Sequence, residues 1–222
     1  MSTEIKKRSR TYDAARTREI ILDAAEEAFA ELGYSAARID AIAKASGYNK
    51  SLIYQYFGDK LGLYTEVVKR ADQVGDLVAG QAVAEFLKDK SVTSNPEKFK
   101  DFMATTIRTM YEFLLQHPRY RKILFWEAAE EWKTWNQITY RPDDISQFYE
   151  LANAAKHNGI LRADFDPVMF PILIMNVVTA TLHSFSRFRD LPGQMDSPQQ
   201  QEQIIEQIVK FVIHGIMKPS LL

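Results

Sequence analysis

Apolar residues recur along most of this chain at intervals of three and four, the period of an amphipathic helix, and no stretch alternates strictly as a strand would. The first clear stripe is Ile20, Ile21, Ala24, Ala25, Ala28, Phe29 and Leu32, with Glu19, Asp23, Glu26, Glu27 and Glu31 largely opposite. It predicts a helix that stops at Gly33, a residue suited to a helix C-terminus. Two short helices follow, Ile39 to Ala45 and Lys50 to Phe57. A long one starts at Lys60 and runs to about Leu87, with Asp59 as its cap and Gly75 and Gly80 as candidate breaks. The polar stretch Lys88 to Asn95 reads as a loop. Helices near 96–116, 119–135 and 143–157 are bounded by Pro96, Pro118, Pro142 and Gly159. After a loop from Gly159 to Pro167, two last helices near 167–189 and 198–216 flank a loop with Pro192, Gly193 and Pro198. The expected fold is all-α, with about nine helices.

Composition narrows the chemistry. A chain of 222 residues with 46% hydrophobic and 26% charged positions is an ordinary globular protein that can bury a sizeable core. The absence of cysteine excludes disulfides, thiolate metal sites and cysteine nucleophiles. His117, His157, His183 and His214 are scattered, no pair has helical ligand spacing, and no metal is expected. No Glu-x-x-His pair, phosphate-cradling glycine loop or triad pattern is present, so neither catalysis nor a cofactor is expected. The opening residues MSTEIKKRSRTYD lack the apolar run of a secretory signal, and the most apolar segment, Val168 to Leu182, is short and interrupted by Pro171 and Asn176. No membrane partner is expected, and the default location is cytoplasmic. The net charge of −1 gives no bulk attraction to nucleic acid, but residues 1–18 carry six basic side chains against two acidic ones.

The strongest pattern is IDAIAKASGYNKSLIYQYFG, Ile39 to Gly58. Two short helices crossing steeply need a small residue where they meet, which Ala43 supplies, and a turn residue tolerant of positive φ, which Gly47 supplies four positions later. Ile53, six residues on, can pack back against Ile39, Ile42 and Ala43, and Asn49 is a good N-cap for the second helix. That helix displays Lys50, Ser51, Tyr54, Gln55 and Tyr56, a surface with hydrogen-bonding groups and little acid, as the major groove requires. The plain alternative is a tight helical hairpin inside a bundle.

Residues 16–68 resemble the N-terminal domain of the TetR/AcrR family of regulators, through RTREIILDAAEEAFAELGY and IDAIAKASGYNKSLIYQYFGDKLGLYTEVV. Ile42-Ala43, Gly47, Tyr54, Phe57 and Lys60 fall on the family pattern. The resemblance implies that Asn49, Lys50 and Ser51 meet base edges, with Gln55 one turn on and able to pair with adenine. It places Tyr54 and Tyr56 at phosphate-contacting positions, core packing being the alternative for Tyr56, and sets Lys60 with its helix N-terminus on another phosphate. Two positions depart from the family: Arg38 stands where a capping threonine is usual, offering charge for a phosphate but no cap, and Leu52 stands where a threonine is common. The domains implied are a basic arm over 1–15, a helix-turn-helix over 16–62 and a ligand-binding and dimerisation domain over 63–222. Within the arm, Lys6, Lys7, Arg8 and Arg10 either enter a minor groove or form a solvated terminus.

Residues 111–149 are rich in aromatics, including Tyr111, Phe113, Tyr120, Phe125, Trp126, Trp132, Trp135, Tyr140, Phe148 and Tyr149. Phe125, Trp126, Trp132 and Trp135, completed by Met103, Met110, Tyr111, Met175 and Phe185, are candidate walls of a pocket for an apolar or aromatic effector, with plain core as the alternative. Glu127, Glu130 and Glu131 on the same helix form either a solvated face or a contact for a cationic ligand. The last two helices carry Phe170, Leu173, Ile174, Val177, Val178 and Leu182, then Ile204, Ile205, Ile208, Val209, Val212 and Ile216. The resemblance implies that they pair with their mates in a homodimer that reads a palindromic operator. The function expected is a repressor released from double-stranded operator DNA when a small molecule binds. The alternatives are a ligand-responsive activator and a helical small-molecule binder that does not use DNA.

Overall fold

The computed structural model describes residues 2–138, 142–188 and 197–222, with side chains described for all of these except 2–12, 74–85, 87, 142–145 and 186. Tyr140, Pro192 and Gly193, and the side chains of Lys6, Lys7, Arg8 and Arg10, lie outside the described residues. Ten α-helices occur among the described residues: α1 Ser2–Ala36, α2 Ile39–Ser46, α3 Lys50–Phe57, α4 Lys60–Lys88, α5 Pro96–Gln116, α6 Pro118–Ala129, α7 Trp135–Ile138, α8 Pro142–His157, α9 Met169–Ser184 and α10 Pro198–Ile216. Their ends follow local chemistry. Asn95 caps α5 by accepting from the backbone N–H of Glu97 and Lys98, and Ser197 with Gln200 forms a capping box on α10. Helix α4 runs through Gly75 and Gly80 without the expected break. The helix expected across 119–135 instead stops at Ala129, Glu131 and Trp132 beyond it take φ of 61° and 60°, and α7 starts at Trp135. The backbone of the expected basic arm is helical and continuous with α1, and α1 carries a kink at Gly33.

The chain divides into two units, one of Met1–Gln73 with Pro118–Tyr140 and the other of Val74–His117 with Arg141–Leu222. The first unit is built on a core of Ile21, Leu22, Ala25 and Phe29 from α1, Ile42 from α2, Ile53 from α3, Leu63, Tyr64, Val67 and Val68 from α4, and Ile123 from α6. Helix α6, which the sequence placed with the second domain, thus packs on α1 in the unit that holds the helix-turn-helix. The acidic side of α1 is bridged. Arg70 of α4 reaches Asp23 at 2.7 Å, Glu19 at 3.3 Å and Glu26, while Arg119 and Lys122 of α6 pair with Glu27 and Glu31.

In the second unit α5 supplies Phe99, Phe102, Met103, Ile107, Tyr111 and Leu114 to the interior and packs against both α9 and α10. Arg108 of α5 holds Glu202 of α10 through both guanidinium nitrogens, the bidentate geometry that fixes direction as well as distance. Phe170, Ile174, Val178 and Leu182 of α9 and Ile205, Ile208, Val212 and Ile216 of α10 are buried within this unit, so they belong to the chain's own interior. What α9 and α10 leave outside includes Met169, Ile172 and Phe211, the last 71% exposed. Backbone bonds from Arg162 to Ile216 and from Lys218 to Ile160, both 2.9 Å, tie the C-terminus to the segment after α8. Among the described residues no helix is long and apolar enough to cross a membrane.

Candidate nucleic-acid interface

Helices α2 and α3 meet through Ile39, Ile42, Ile53 and Phe57, all buried, with Ala43 half-buried between them. Gly47 ends α2 with φ 75° and ψ 10°, the left-handed conformation that lets the chain reverse within three residues. The Asn49 side chain then accepts from the Leu52 backbone N–H at 2.9 Å and starts α3. Inward anchoring at Ile53 and Phe57 decides what faces outward. Lys50, Ser51, Tyr54 and Gln55 are exposed, and their spacing of one, three and one residues puts them on a single side of the helix. Leu52 is half-buried. Tyr56 is half-buried too and packs against the core of this unit, its ring 6.1 Å from that of Phe57, so much of its surface is spent on packing.

Two of the cations expected to meet DNA, Lys50 and Lys60, already have partners. The Lys50 ammonium lies 2.7 Å from Asp40, whose hydrogen bond holds it above its ordinary pKa. Lys50 must leave Asp40, or share it, to meet a base. Lys60 opens α4, where Asp59 caps the helix by accepting from the Gly62 N–H at 2.7 Å. Its ammonium donates to the Ser35 carbonyl at 3.2 Å and stands 4.7 Å from the centre of the Tyr34 ring. Partial burial lowers its pKa. A third, Arg38, precedes α2 in an extended conformation and is exposed, and it makes no side-chain cap, as its chemistry dictates.

Two supports were not legible from spacing. The Arg18 guanidinium sits 5.3 Å above the Phe57 ring and pairs with Glu66, bracing the C-terminal end of α3. Thr17 donates to the Tyr48 hydroxyl at 3.3 Å, bracing the turn before it. Both involve partners more than thirty residues apart, with no local pattern to announce them.

The nine residues expected to line an effector pocket do not share one unit. Phe125, Trp126, Trp132 and Trp135 fall in the first, and Met103, Met110, Tyr111, Met175 and Phe185 in the second. Trp126 donates from its indole nitrogen to the Ala30 carbonyl at 3.2 Å and lies against Gly33, and Trp135 packs on the core of the first unit. Trp132 is half-buried edge-on to Trp135, with ring centres 5.8 Å apart, whereas Phe125 is exposed. Met103 and Tyr111 are fully buried, while Met110, Met175 and Phe185 are half-buried. A cleft of about 570 Å³ lies elsewhere in the second unit, between Phe86, Val92 and Thr93 on one side and Ser146, Glu150 and Leu151 on the other. Glu127, expected on a solvated face or against a cation, is buried at 2% exposure. Thr106 is also buried, and its hydroxyl oxygen has no hydrogen-bond partner among the described residues.

Comparison with known proteins places this geometry. Residues 21–67 match the family model described as bacterial regulatory proteins, tetR family. The chain is 31% identical over 118 residues to the HTH-type transcriptional repressor SCO4008 of Streptomyces coelicolor, covering 53% of each chain. It is 31% identical over 105 residues to the HTH-type transcriptional activator FasR of Mycolicibacterium smegmatis, covering 47% of this chain and 43% of that one. The chain thus spans about half the length of these two relatives. In fold it is similar to the ketosteroid transcriptional regulator KstR2 of Mycobacterium tuberculosis, with a TM-score of 0.62, 19% identity, and 90% and 95% of the two chains covered.

Proposed function

We propose that this chain, whose residues 21–67 match the tetR family of bacterial regulatory proteins, is a cytoplasmic, homodimeric transcriptional repressor, not an enzyme, released from a palindromic operator by a small molecule. The observation that carries this reading is the divided surface of α3. Ile53 and Phe57 fix the helix from behind, and Lys50, Ser51, Tyr54 and Gln55 face outward as one polar surface to which α3 contributes no acid. Asn49, Lys50 and Ser51 at its N-terminal end and Gln55 one turn on read bases, and Tyr54, Lys60 and Arg38 hold phosphates. A helix with its side chains is about 10–12 Å across, wider than a minor groove of about 6 Å. The helical backbone of residues 2–12 therefore favours phosphate contact by the basic arm over groove entry.

The outward residues Met169 and Ile172 of α9 and Phe211 of α10 supply the self-complementary apolar face that an isologous dimer needs. The effector binds in the second unit, for which the half-buried Met110 and Met175 are candidate soft apolar contacts and the buried Thr106 hydroxyl a candidate polar anchor. Thr106→Val keeps the shape and removes an unsatisfied buried hydroxyl, so thermal unfolding should show a gain on the order of 1 kcal/mol. The same variant should need more effector to leave DNA. A loss of stability on that substitution would mean that Thr106 is already satisfied. The activator reading is favoured by one observation, the likeness to an activator in M. smegmatis.

Selection from random-sequence duplexes tests the whole proposal. An inverted repeat should be enriched, with affinity falling steeply as salt rises because each lysine or arginine on a phosphate releases a counterion. Transcription from a promoter carrying that repeat then fixes the sign of regulation. Enrichment of no sequence, with weak binding to all duplexes alike, would overturn the reading of α3 as a sequence reader.

A further inference from the structure

Glu127 is the one glutamate of the α6 segment that the chain buries, and both of its carboxylate oxygens are used. One accepts from the Tyr64 hydroxyl of α4, and the other from the backbone N–H of Trp135 at 2.8 Å. Its own carbonyl accepts from the Trp132 N–H at 2.7 Å. The residue therefore grips the turn between α6 and α7 twice, across Glu131 and Trp132, which hold the left-handed backbone that residues with a Cβ adopt only at a cost. A carboxylate placed in an apolar interior costs free energy unless its hydrogen bonds are complete, and complete bonds demand one geometry. An aliphatic residue would fill this space without demanding any.

That geometry leads to the DNA-facing end of α4. Tyr64 lies one helical turn after Lys60, on the same side of the helix. Its ring is 5.0 Å from that of Tyr34, and the Lys60 ammonium stands 4.7 Å from the same Tyr34 ring while donating to Ser35. Phe29 closes the stack, edge-on to Tyr64 at 4.8 Å. All of these residues belong to the first unit.

We infer that Glu127 is a positioning residue for DNA binding: by fixing the Tyr64 hydroxyl and the α6–α7 turn together, it holds the Tyr64–Tyr34–Lys60 stack that aims the start of α4 at a phosphate. The inference rests on the reading of Lys60 as a phosphate ligand. Glu127→Gln keeps the size but leaves one accepting oxygen: with that oxygen on the Trp135 N–H, the amide faces Tyr64, whose hydroxyl must turn from donor to acceptor and loses its bond to a charged group. Lys60 keeps its charge and loses its fixed position.

The test is a double-mutant cycle between residues 127 and 60, read as affinity for mixed-sequence duplex DNA and for the selected repeat over a range of salt, with thermal unfolding alongside. Glu127→Gln should weaken binding roughly tenfold, the loss typical of a hydrogen bond to a charged group. It should also flatten the salt slope by up to about 0.9 for each phosphate that Lys60 no longer neutralises. In the Lys60→Ala background it should add nothing. Tyr64→Phe, which removes only one hydroxyl, should reproduce the effect and carries the test if Glu127→Gln does not fold. Additive losses in the double variant, or a lower melting temperature with unchanged affinity and slope, would overturn the inference and leave Glu127 a fold residue. If Lys60→Ala itself changes neither affinity nor slope, the reading of Lys60 fails and the route assigned to Glu127 fails with it. If Lys60→Ala weakens binding and Glu127→Gln does not, the inference about Glu127 alone is lost.

Discussion

Gln55→Ala should weaken operator binding by at least about 30-fold and leave the melting temperature almost unchanged. The first half of that expectation comes from geometry and symmetry. Gln55 stands exposed on the outward side of α3, beside Tyr54 and one turn beyond Ser51, and its amide offers the donor and acceptor pair that matches adenine. One good bidentate base contact is worth about 1–3 kcal/mol of discrimination. A palindromic operator uses the residue twice, so about 2–6 kcal/mol is at stake, and each 1.4 kcal/mol or so is a factor of ten. The second half comes from exposure, since substitution of a surface side chain away from caps and buried networks changes stability by about 0.5 kcal/mol or less. Anisotropy titration against the selected repeat and against variants at each adenine separates the outcomes. A loss confined to the repeat, with discrimination relaxed at one base, fits a base contact. A loss shared equally by all duplexes would reassign Gln55 to the phosphates, and no loss would remove it from the interface.

Such a clean separation between reading and folding is available only because α3 is anchored from one side. Phe57 is held by Arg18 from α1, and Glu66 of α4 holds Arg18 in turn. The α1 helix is tied again by Arg70 through three carboxylates and by Arg119 and Lys122 of α6. Charges that could pass for a solvated face in the sequence therefore act as braces for the unit that holds α2 and α3. Each exposed pair contributes little alone, but the set shares Arg70 and the α1 face, and its members do not act independently.

The helix-turn-helix was legible because its determinants are local. Ala43, Gly47, Asn49 and Ile53 each act within a few residues, and α3 begins and ends where the pattern placed it. The break in α6 was not legible, since the segment Glu130–Glu131–Trp132–Lys133–Thr134 has no glycine or proline. Its turn is bonded to Glu127 by the Trp132 and Trp135 N–H groups, and the further partner of Glu127, Tyr64, lies sixty-three positions away. The same distance hid the burial of Glu127, which in sequence is one of three similar glutamates. Aromatic composition marked a cluster, as pocket wall or plain core, but carried no address, so it could not tell that Trp126 lies against Gly33 while Tyr111 is buried in the second unit. In α9 and α10 the pattern identified residues that must be covered. It could not say that eight of those twelve residues lie buried in the chain's own second unit, where α5 packs on both helices, while Met169, Ile172 and Phe211, which it did not single out, stay outside.

Gly62→Ala gives the largest structural effect we expect, and its sign opposes helix propensity. Gly62 is the third residue of α4, where alanine would ordinarily stabilise a helix by about 0.5–1 kcal/mol. Here a Cβ would fall 2.0 Å from the carbonyl oxygen of Phe57, the last residue of α3. That oxygen already accepts from the Asp59 N–H at 3.0 Å, so it belongs to the turn joining the two helices and cannot swing aside as a side chain would. Relief requires α3 to move against α4, and overpacking of this kind costs about 1–3 kcal/mol or more. Because the obstacle is backbone, the upper end applies, and a net loss of about 2 kcal/mol should remain after the propensity gain. Operator affinity should fall as well, since α3 and the Lys60 end of α4 can no longer keep their spacing. Denaturant unfolding, with the slope compared to detect a changed native state, reads the first effect, and anisotropy reads the second. A more stable variant with full affinity would mean that α3 and α4 have room for a methyl group between Phe57 and Gly62. It would also free the α3–α4 turn from the requirement for glycine.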